Sequence, residues 1–160
     1  MAEGEFALVR SYLEKALGKI ASWVGEHDLY AMLADVAAQQ NDHAALHKYA
    51  PLAQELAMKY DHKLYQAIAL RAWGVAHRLS GRYPQAGAQL SAALELCEKL
   101  EGRWQIGRTL FELGELYFVQ ADHPSAKAHF SRALAAYEEI GALPDAGRTR
   151  EKLAAFTELP

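Results

Sequence analysis

The sequence repeats itself at an interval of about 40 residues, and this period limits the folds that the chain can adopt more than any other feature does. A shift by one period aligns large side chains with large ones and small with small: Leu33, Trp73 and Leu113; Ala34, Gly74 and Gly114; Ala53, Ala93 and Ala133. One unit of this size cannot bury its apolar face alone, so successive units must stack on one another. The sequence therefore predicts a repeat array.

Each unit is expected to form two antiparallel helices. Apolar residues recur at helical spacing over 103–120 and again over 124–140. Between these stretches, Asp122 or His123 is suited to cap a helix, and Pro124 fits a first helical turn, where its missing N–H is no loss. The pattern predicts eight helices, over 5–20, 25–40, 43–60, 63–80, 84–100, 103–120, 124–140 and 145–157. The predicted fold class is all-α, a single domain over residues 1–160 with about three full units and a half unit at each end.

Pro51 lies inside the third predicted helix. Its ring would clash with the backbone carbonyl of His47, four residues earlier. The sequence therefore predicts a kink at this point or a division into two short helices.

The second and third units share a set of residues that identifies a family. The second has Trp73-Gly74, Gly81-Arg82-Tyr83, Ala86, Leu90 and Ala93, and the third has Leu113-Gly114, Tyr117, Asp122, Ala126, Phe130 and Ala133. A large residue followed by a small one, a Gly-Asp/Asn-Tyr turn and small residues on the second helix resemble the tetratricopeptide repeat (TPR). The first unit matches less fully, with Leu33-Ala34 and Asn41-Asp42. The resemblance implies a right-handed α-α superhelix that serves as a non-catalytic scaffold for protein–protein interaction.

The period of this sequence is longer than the usual one of this family, which is about 34 residues. It predicts longer helices and a wider turn between units. The stretches Ile106-Gly107-Arg108-Thr109-Leu110 and Pro144-Asp145-Ala146-Gly147-Arg148 resemble the extended repeats of MalT-like regulators and of signalling-ATPase tails. This narrower resemblance implies a scaffold role in signalling and also allows a domain that senses a small ligand.

The resemblance also places a partner-binding groove on the first helix of each pair. The positions that would face it include Asp35, Arg71, Arg78, Arg108, Phe111, Glu115, Phe118 and Arg148. Aromatic residues beside arginines suit an extended or helical peptide with an apolar anchor and a carboxylate. The competing interpretation is that the phenylalanines pack on the adjacent unit and the arginines pair with neighbouring acids. The Lys and Asn positions of the family's carboxylate clamp are not matched, which disfavours the binding of chaperone tails.

Charge and composition argue against several classes of protein. With 17 Lys+Arg against 20 Asp+Glu, the formal charge is −3, so neither nucleic acid nor an anionic membrane is an expected partner. The single cysteine, Cys97, excludes an intramolecular disulfide. The first residues carry acids where a signal peptide needs bases, and no apolar run approaches the length of a spanning helix. A cytoplasmic location is therefore expected.

Motifs of catalysis are missing from the sequence. It contains no Gly-rich phosphate loop, no Gly-x-Ser-x-Gly and no His-Glu-x-x-His. His43 and His47 have a spacing that can chelate a metal, but two ligands do not complete a site, so they are interpreted as surface histidines. By its place in the repeat, Cys97 is expected to be a packed apolar residue. We expect no enzyme activity, no cofactor and no metal.

The two ends of the array leave an alternative function open. The first and last helices lack their repeat partners, so apolar residues there offer surface that a second copy would cover: Phe6, Leu8 and Leu13, or Leu153, Ala154 and Phe156. Half units at both ends fit a small protein with capping helices or a segment of a longer array. A peptide-binding scaffold, a self-associating module and a small-ligand sensor are therefore the three candidate functions.

Overall fold

A computed structural model describes residues 3–17 and 25–156, and within these ranges every regular element is an α-helix. The eight helices there are α1 (Glu3–Leu17), α2 (Glu26–Gln39), α3 (His43–Lys59), α4 (Lys63–Leu79), α5 (Tyr83–Lys99), α6 (Arg103–Val119), α7 (His123–Glu139) and α8 (Leu143–Ala155). This confirms the predicted all-α solenoid of helix pairs. Residues 18–20 of the first predicted helix and residue 157 of the last lie outside the described residues.

Helix α3 continues through Pro51 as one element from His43 to Lys59. The predicted division into two short helices is therefore wrong. Tyr49, Ala50 and Ala53, which flank the proline, are buried in the core formed with α2 and α4. Tertiary packing on both sides of the proline holds the helical backbone in place, because burial of apolar surface outweighs one lost hydrogen bond.

The turns from α2 to α8 all have three residues, and the middle residue of each adopts a left-handed backbone. These middle residues recur every 20 positions: Asn41 (φ 52°), Asp61 (50°), Gly81 (71°), Glu101 (53°), Ala121 (59°) and Gly141 (68°). The next residue donates its N–H to a carbonyl five residues earlier, as from Asp42 to Ala37 at 3.0 Å. This is the Schellman arrangement that ends a helix.

The predicted longer helices are confirmed, with 17 residues each in α3 to α7. The predicted wider turn between units is wrong.

Besides its neighbours in the chain, α4 packs on α2 on one side and on α6 on the other. These even-numbered helices therefore lie side by side. Close approach within a pair depends on glycine. A methyl group added at Gly74 would lie 2.5 Å from Cγ of Leu90, and one added at Gly114 would lie 2.7 Å from the ring of Phe130. We call the surface formed by α2, α4, α6 and α8 the even-helix face.

Candidate functional site on the even-helix face

A buried charged cluster lies within the even-helix face. Asp35 Oδ1 accepts hydrogen bonds from Nη2 of Arg71 at 2.6 Å and from Nη2 of Arg108 at 3.3 Å. Arg71 also donates from Nη1 to Thr109 Oγ1 at 3.2 Å, and Gln39 donates to Asp35 Oδ2 at 2.9 Å. Both arginine side chains are 0% exposed, against 13% for Asp35. The cluster thus joins three helices through one carboxylate.

Opposing effects set the protonation of this cluster. Burial alone would raise the pKa of Asp35, but Arg108 and Arg71 together outweigh it, so the pKa is lowered. Burial also lowers the pKa of Arg108, and Asp35 opposes that change. Two guanidiniums facing one carboxylate keep Asp35 ionised at neutral pH. Arg71 and Arg108 therefore face Asp35 and not the solvent.

A second set of predicted residues lines a cavity of about 170 Å³, which lies beside Gln39 of the buried cluster. Arg78, Phe111, Glu115 and Arg148 all contribute to its wall. Arg78 Nη2 donates to Glu112 Oε2 at 3.1 Å and to Asn41 Oδ1 at 2.7 Å. We call this the charged cavity.

Arg148 is the cation with the weakest pairing in the charged cavity. Its guanidinium carbon lies 4.5 Å from the centre of the Phe111 ring, which is a cation–π arrangement. The nearest carboxylate oxygen, from Asp145, is 3.9 Å away, whereas Glu115 and Lys152 form an ion pair at 2.7 Å. With 34% of its side chain exposed, Arg148 is available to an anionic group from outside.

The two phenylalanines predicted to face the groove differ in exposure and are connected through Phe130 and Phe156, whose ring centres are 6.1 Å apart. Phe111 is 5% exposed and packs edge to face on Phe130, with ring centres 5.2 Å apart. Phe118 is 37% exposed and meets the Phe156 ring at 5.6 Å, towards the C-terminal end of the array. Phe118 lines neither of the two cavities on this face. Phe111 and Phe118 therefore do not contact each other directly.

An apolar cavity of about 360 Å³ opens at the opposite end of the face. Its wall combines Val9 of α1, Met32 of α2, Leu64 and Ile68 of α4, and Trp104 of α6. Met32 is 53% exposed, so the wall is open to solvent on that side. We call this the apolar cavity.

Most residues of the apolar cavity were not among the predicted groove residues, although the repeat period points to two of them. A shift by one repeat period aligns Leu64 with Trp104, one helical turn before Ile68 and the predicted groove residue Arg108. The groove register therefore extends one turn towards the start of α4 and α6. Met32 lies beside Ala31 in α2 and belongs to the same wall.

Outside this face, the described residues bear on the expectations for metal-binding groups, for Cys97 and for membrane-spanning helices. Within residues 3–17 and 25–156, no group of three or more His, Cys, Asp or Glu side chains is arranged to hold a metal ion. Cys97 is 0% exposed, and burial raises its pKa, although Arg71 opposes that change. The expectation of a packed apolar residue at Cys97 is confirmed. The helices of the described residues include none that is long and apolar enough to cross a membrane.

Comparisons with known proteins agree with this architecture. Residues 65–139 match the model of the tetratricopeptide repeat family, which covers α4 to α7 and leaves out the less regular first unit. The crystal structure of BtubC (BKLC) from P. vanneervenii resembles this chain with a TM-score of 0.59 and 17% identity, over 99% of this chain and 77% of that one. At that identity the likeness concerns the fold alone. No curated protein matches the sequence.

Two helix pairs, α4–α5 and α6–α7, thus carry both the repeat residues and the family match. Repeats of this family generally act as non-catalytic scaffolds that mediate protein–protein interaction. The Gly74 and Gly114 contacts and the uniform turns give the family pattern its physical basis in this chain. Residues 65–139 are therefore tetratricopeptide repeats.

Proposed function

We propose that this chain is a protein-interaction scaffold that binds a peptide or a partner helix on the even-helix face. The observation that carries the proposal is that one face holds two different cavities, one apolar and one charged. A bulky apolar side chain fits the first, and a carboxylate fits the second beside Arg148. The function is that of a scaffold, without a catalytic step.

The separation of the two cavities suits a short segment of polypeptide. Trp104 belongs to the apolar cavity and Phe111 to the charged one, seven residues further along α6. At 1.5 Å per residue the two positions are roughly 10 Å apart. An extended peptide covers that distance in about three residues, and a helix in about two turns.

The buried cluster supports binding by fixing the helices that carry the two cavities. Asp35 holds α2, α4 and α6 together through Arg71 and Arg108. Because these side chains are already ordered, little conformational entropy is lost when a partner binds. Arg71 and Arg108 thus contribute to binding indirectly, by keeping α2, α4 and α6 in the positions that the partner requires.

Selection from a random peptide library against the whole chain tests the proposal. Selected peptides are then titrated by fluorescence anisotropy against the parent and the variants Met32→Gln and Arg148→Gln. We expect each variant to raise Kd by about fivefold or more, which corresponds to about 1 kcal/mol. Total affinity is expected near the micromolar scale.

Matched variants outside the face serve as controls. Met58→Gln changes a methionine of α3 that is 63% exposed. Arg150→Gln removes an exposed arginine of α8 that pairs with Glu138 of α7 and lines neither cavity. Both are expected to bind the selected peptides as the parent does. The proposal would be overturned if Met32→Gln and Met58→Gln weakened peptide binding equally, or if the library yielded no binding peptide.

Self-association is the second candidate, and exposed apolar residues of α1 favour it. Leu8 is 55% exposed and Tyr12 is 63% exposed, and the two lie one turn apart on the same side of α1. A second copy that covers this face would remove both from water. Light-scattering mass across a wide concentration range separates the candidates, since a constant 17.7 kDa excludes self-association. A dimer that Leu8→Gln dissociates would support it.

A further inference from the structure

We propose that His43, His47 and Ser80 form a binding site for a divalent late first-row transition ion, such as Cu²⁺, Ni²⁺ or Zn²⁺. The site lies where α3 begins and α4 ends, between two helices that are neighbours in the chain. It is independent of the cavities of the even-helix face. The two imidazoles supply the main ligands, the hydroxyl supplies a weaker one, and solvent completes the coordination.

The separation of the two imidazole nitrogens matches a chelate. Nε2 of His43 and Nε2 of His47 are 3.1 Å apart. Metal–nitrogen distances in such sites are about 2.0–2.1 Å. Two ligands at those distances, with an angle between 90° and the tetrahedral value at the metal, lie roughly 2.9–3.4 Å apart. The distance between the two nitrogens therefore allows one ion to bind both of them.

Ser80 brings a hydroxyl oxygen to the same place. Ser80 Oγ donates to the Ala76 carbonyl at 2.8 Å and lies 2.9 Å from Nε2 of His43. Because its proton is directed to that carbonyl, Oγ has a lone pair for a cation beside the imidazoles. An ion bound by both imidazoles would therefore have the Ser80 hydroxyl as a weaker third ligand.

The surroundings permit access and suit a cation. His43 and His47 are exposed at the surface. Ser80 caps the C-terminal end of α4, where the helix dipole favours positive charge. Imidazole nitrogen is a ligand that Cu²⁺, Ni²⁺ and Zn²⁺ all accept, and among these Cu²⁺ is expected to bind most tightly.

Calorimetric titration of the whole chain with Cu²⁺, and separately with Ni²⁺, tests the site. We expect one strong site per chain, and at least a tenfold loss of affinity in His43→Gln and in His47→Gln. His129→Gln is the matched control, because His129 of α7 has no histidine four residues before or after it and its Nδ1 is hydrogen-bonded to the Ser125 carbonyl. Circular dichroism of each variant checks that the helices are retained.

Trp73 reports where the ion binds. Its ring centre lies 6.1 Å from that of His47, so bound Cu²⁺ or Ni²⁺ is expected to quench its fluorescence. In Trp73→Phe we expect the quenching that comes from Trp73 to disappear, while the metal affinity measured by calorimetry stays as in the parent. Binding that survives both histidine substitutions, or quenching that Trp73→Phe leaves unchanged, would overturn the proposal. Zn²⁺, which does not quench by this route, is expected to compete with Ni²⁺ for the site.

Discussion

Asp35 and Arg108 are 73 residues apart in the sequence, yet Asp35 Oδ1 accepts a hydrogen bond of 3.3 Å from Arg108 Nη2. The contact connects α2 of the first unit directly to α6 of the third. In a repeat array each unit chiefly touches its neighbours. This link therefore makes the stability of the first and third units depend on one another, with Arg71 of the second unit between them.

Substitution of Asp35 by asparagine tests this dependence. Asp35→Asn leaves Arg71 and Arg108 buried without a countercharge, so we expect the free energy of unfolding to fall by about 3–5 kcal/mol. Urea denaturation measures the change. Glu138→Gln, which removes the exposed partner of Arg150, is the control and is expected to have little effect. An Asp35→Asn midpoint equal to that of the control would show that the cluster does not stabilise the fold.

The stability difference between the parent and Asp35→Asn is expected to depend on pH. Because the folded pKa of Asp35 lies below its unfolded value of about 3.9, the folded state holds this proton less tightly than the unfolded state does. The contribution is fully present above about pH 5 and is lost as the pH falls through the folded pKa. Urea denaturation of both proteins at several pH values from neutral to acidic measures it. A difference that stays constant as the pH falls would contradict the lowered pKa.

Two helical glycines are expected to respond in opposite directions to alanine. Gly114→Ala places a methyl group 2.7 Å from the Phe130 ring, so we expect destabilisation by about 1–3 kcal/mol. At Gly147 of α8 nothing lies within 4 Å of an added methyl group. Gly147→Ala is therefore expected to stabilise by about 0.5–1 kcal/mol, since alanine favours the helix. Denaturant midpoints measure both, and destabilisation by both substitutions would refute the packing argument.

The helices and turns were predictable because each depends on local sequence. Periodic apolar residues fixed the helices to within two residues at the described ends, and the 20-residue spacing of the turns follows from the same period. The division of the helix at Pro51 was predicted wrongly because tertiary packing outweighs a local rule. Helix periodicity says which residues share a face. It does not say which side chains on that face are buried.

The candidate site shows this limit. Arg71 and Arg108 were placed on the correct helices, but their burial depends on Asp35, a distant partner that the repeat register does not identify. Likewise, Phe111 is covered because Phe130 and Arg148 pack on it from two other helices. A register derived from one unit does not show which side chains cover a residue, whether they come from the same unit, as Phe130 does, or from another, as Arg148 does. The partner-binding role of these residues stays a prediction for the peptide titrations to test.

Left-handed turn positions offer a reciprocal pair of substitutions. Ala121 has φ 59° and Gly81 has φ 71° at equivalent turns one repeat apart, and no atom lies within 4 Å of a methyl group added at Gly81. A Cβ atom in this conformation costs about 1 kcal/mol. We therefore expect Ala121→Gly to stabilise the fold and Gly81→Ala to destabilise it by a similar amount, as judged by thermal unfolding. The reverse outcome, with Gly81→Ala stabilising and Ala121→Gly destabilising, would mean that the unfolded chain, and not the turn, decides the effect.

Cys97 is expected to report global unfolding. Its side chain is 0% exposed among α5, α6 and α7, where burial raises the thiol pKa and Thr109 Oγ1 lies 3.9 Å from Sγ. Because the thiolate is the reactive form, a disulfide reagent such as Ellman's should modify the native thiol about a thousandfold or more slowly than in urea. Asp35→Asn is expected to accelerate the native reaction in proportion to its larger unfolded population. Rapid modification of the parent without denaturant would show that the helices around Cys97 separate locally, without global unfolding.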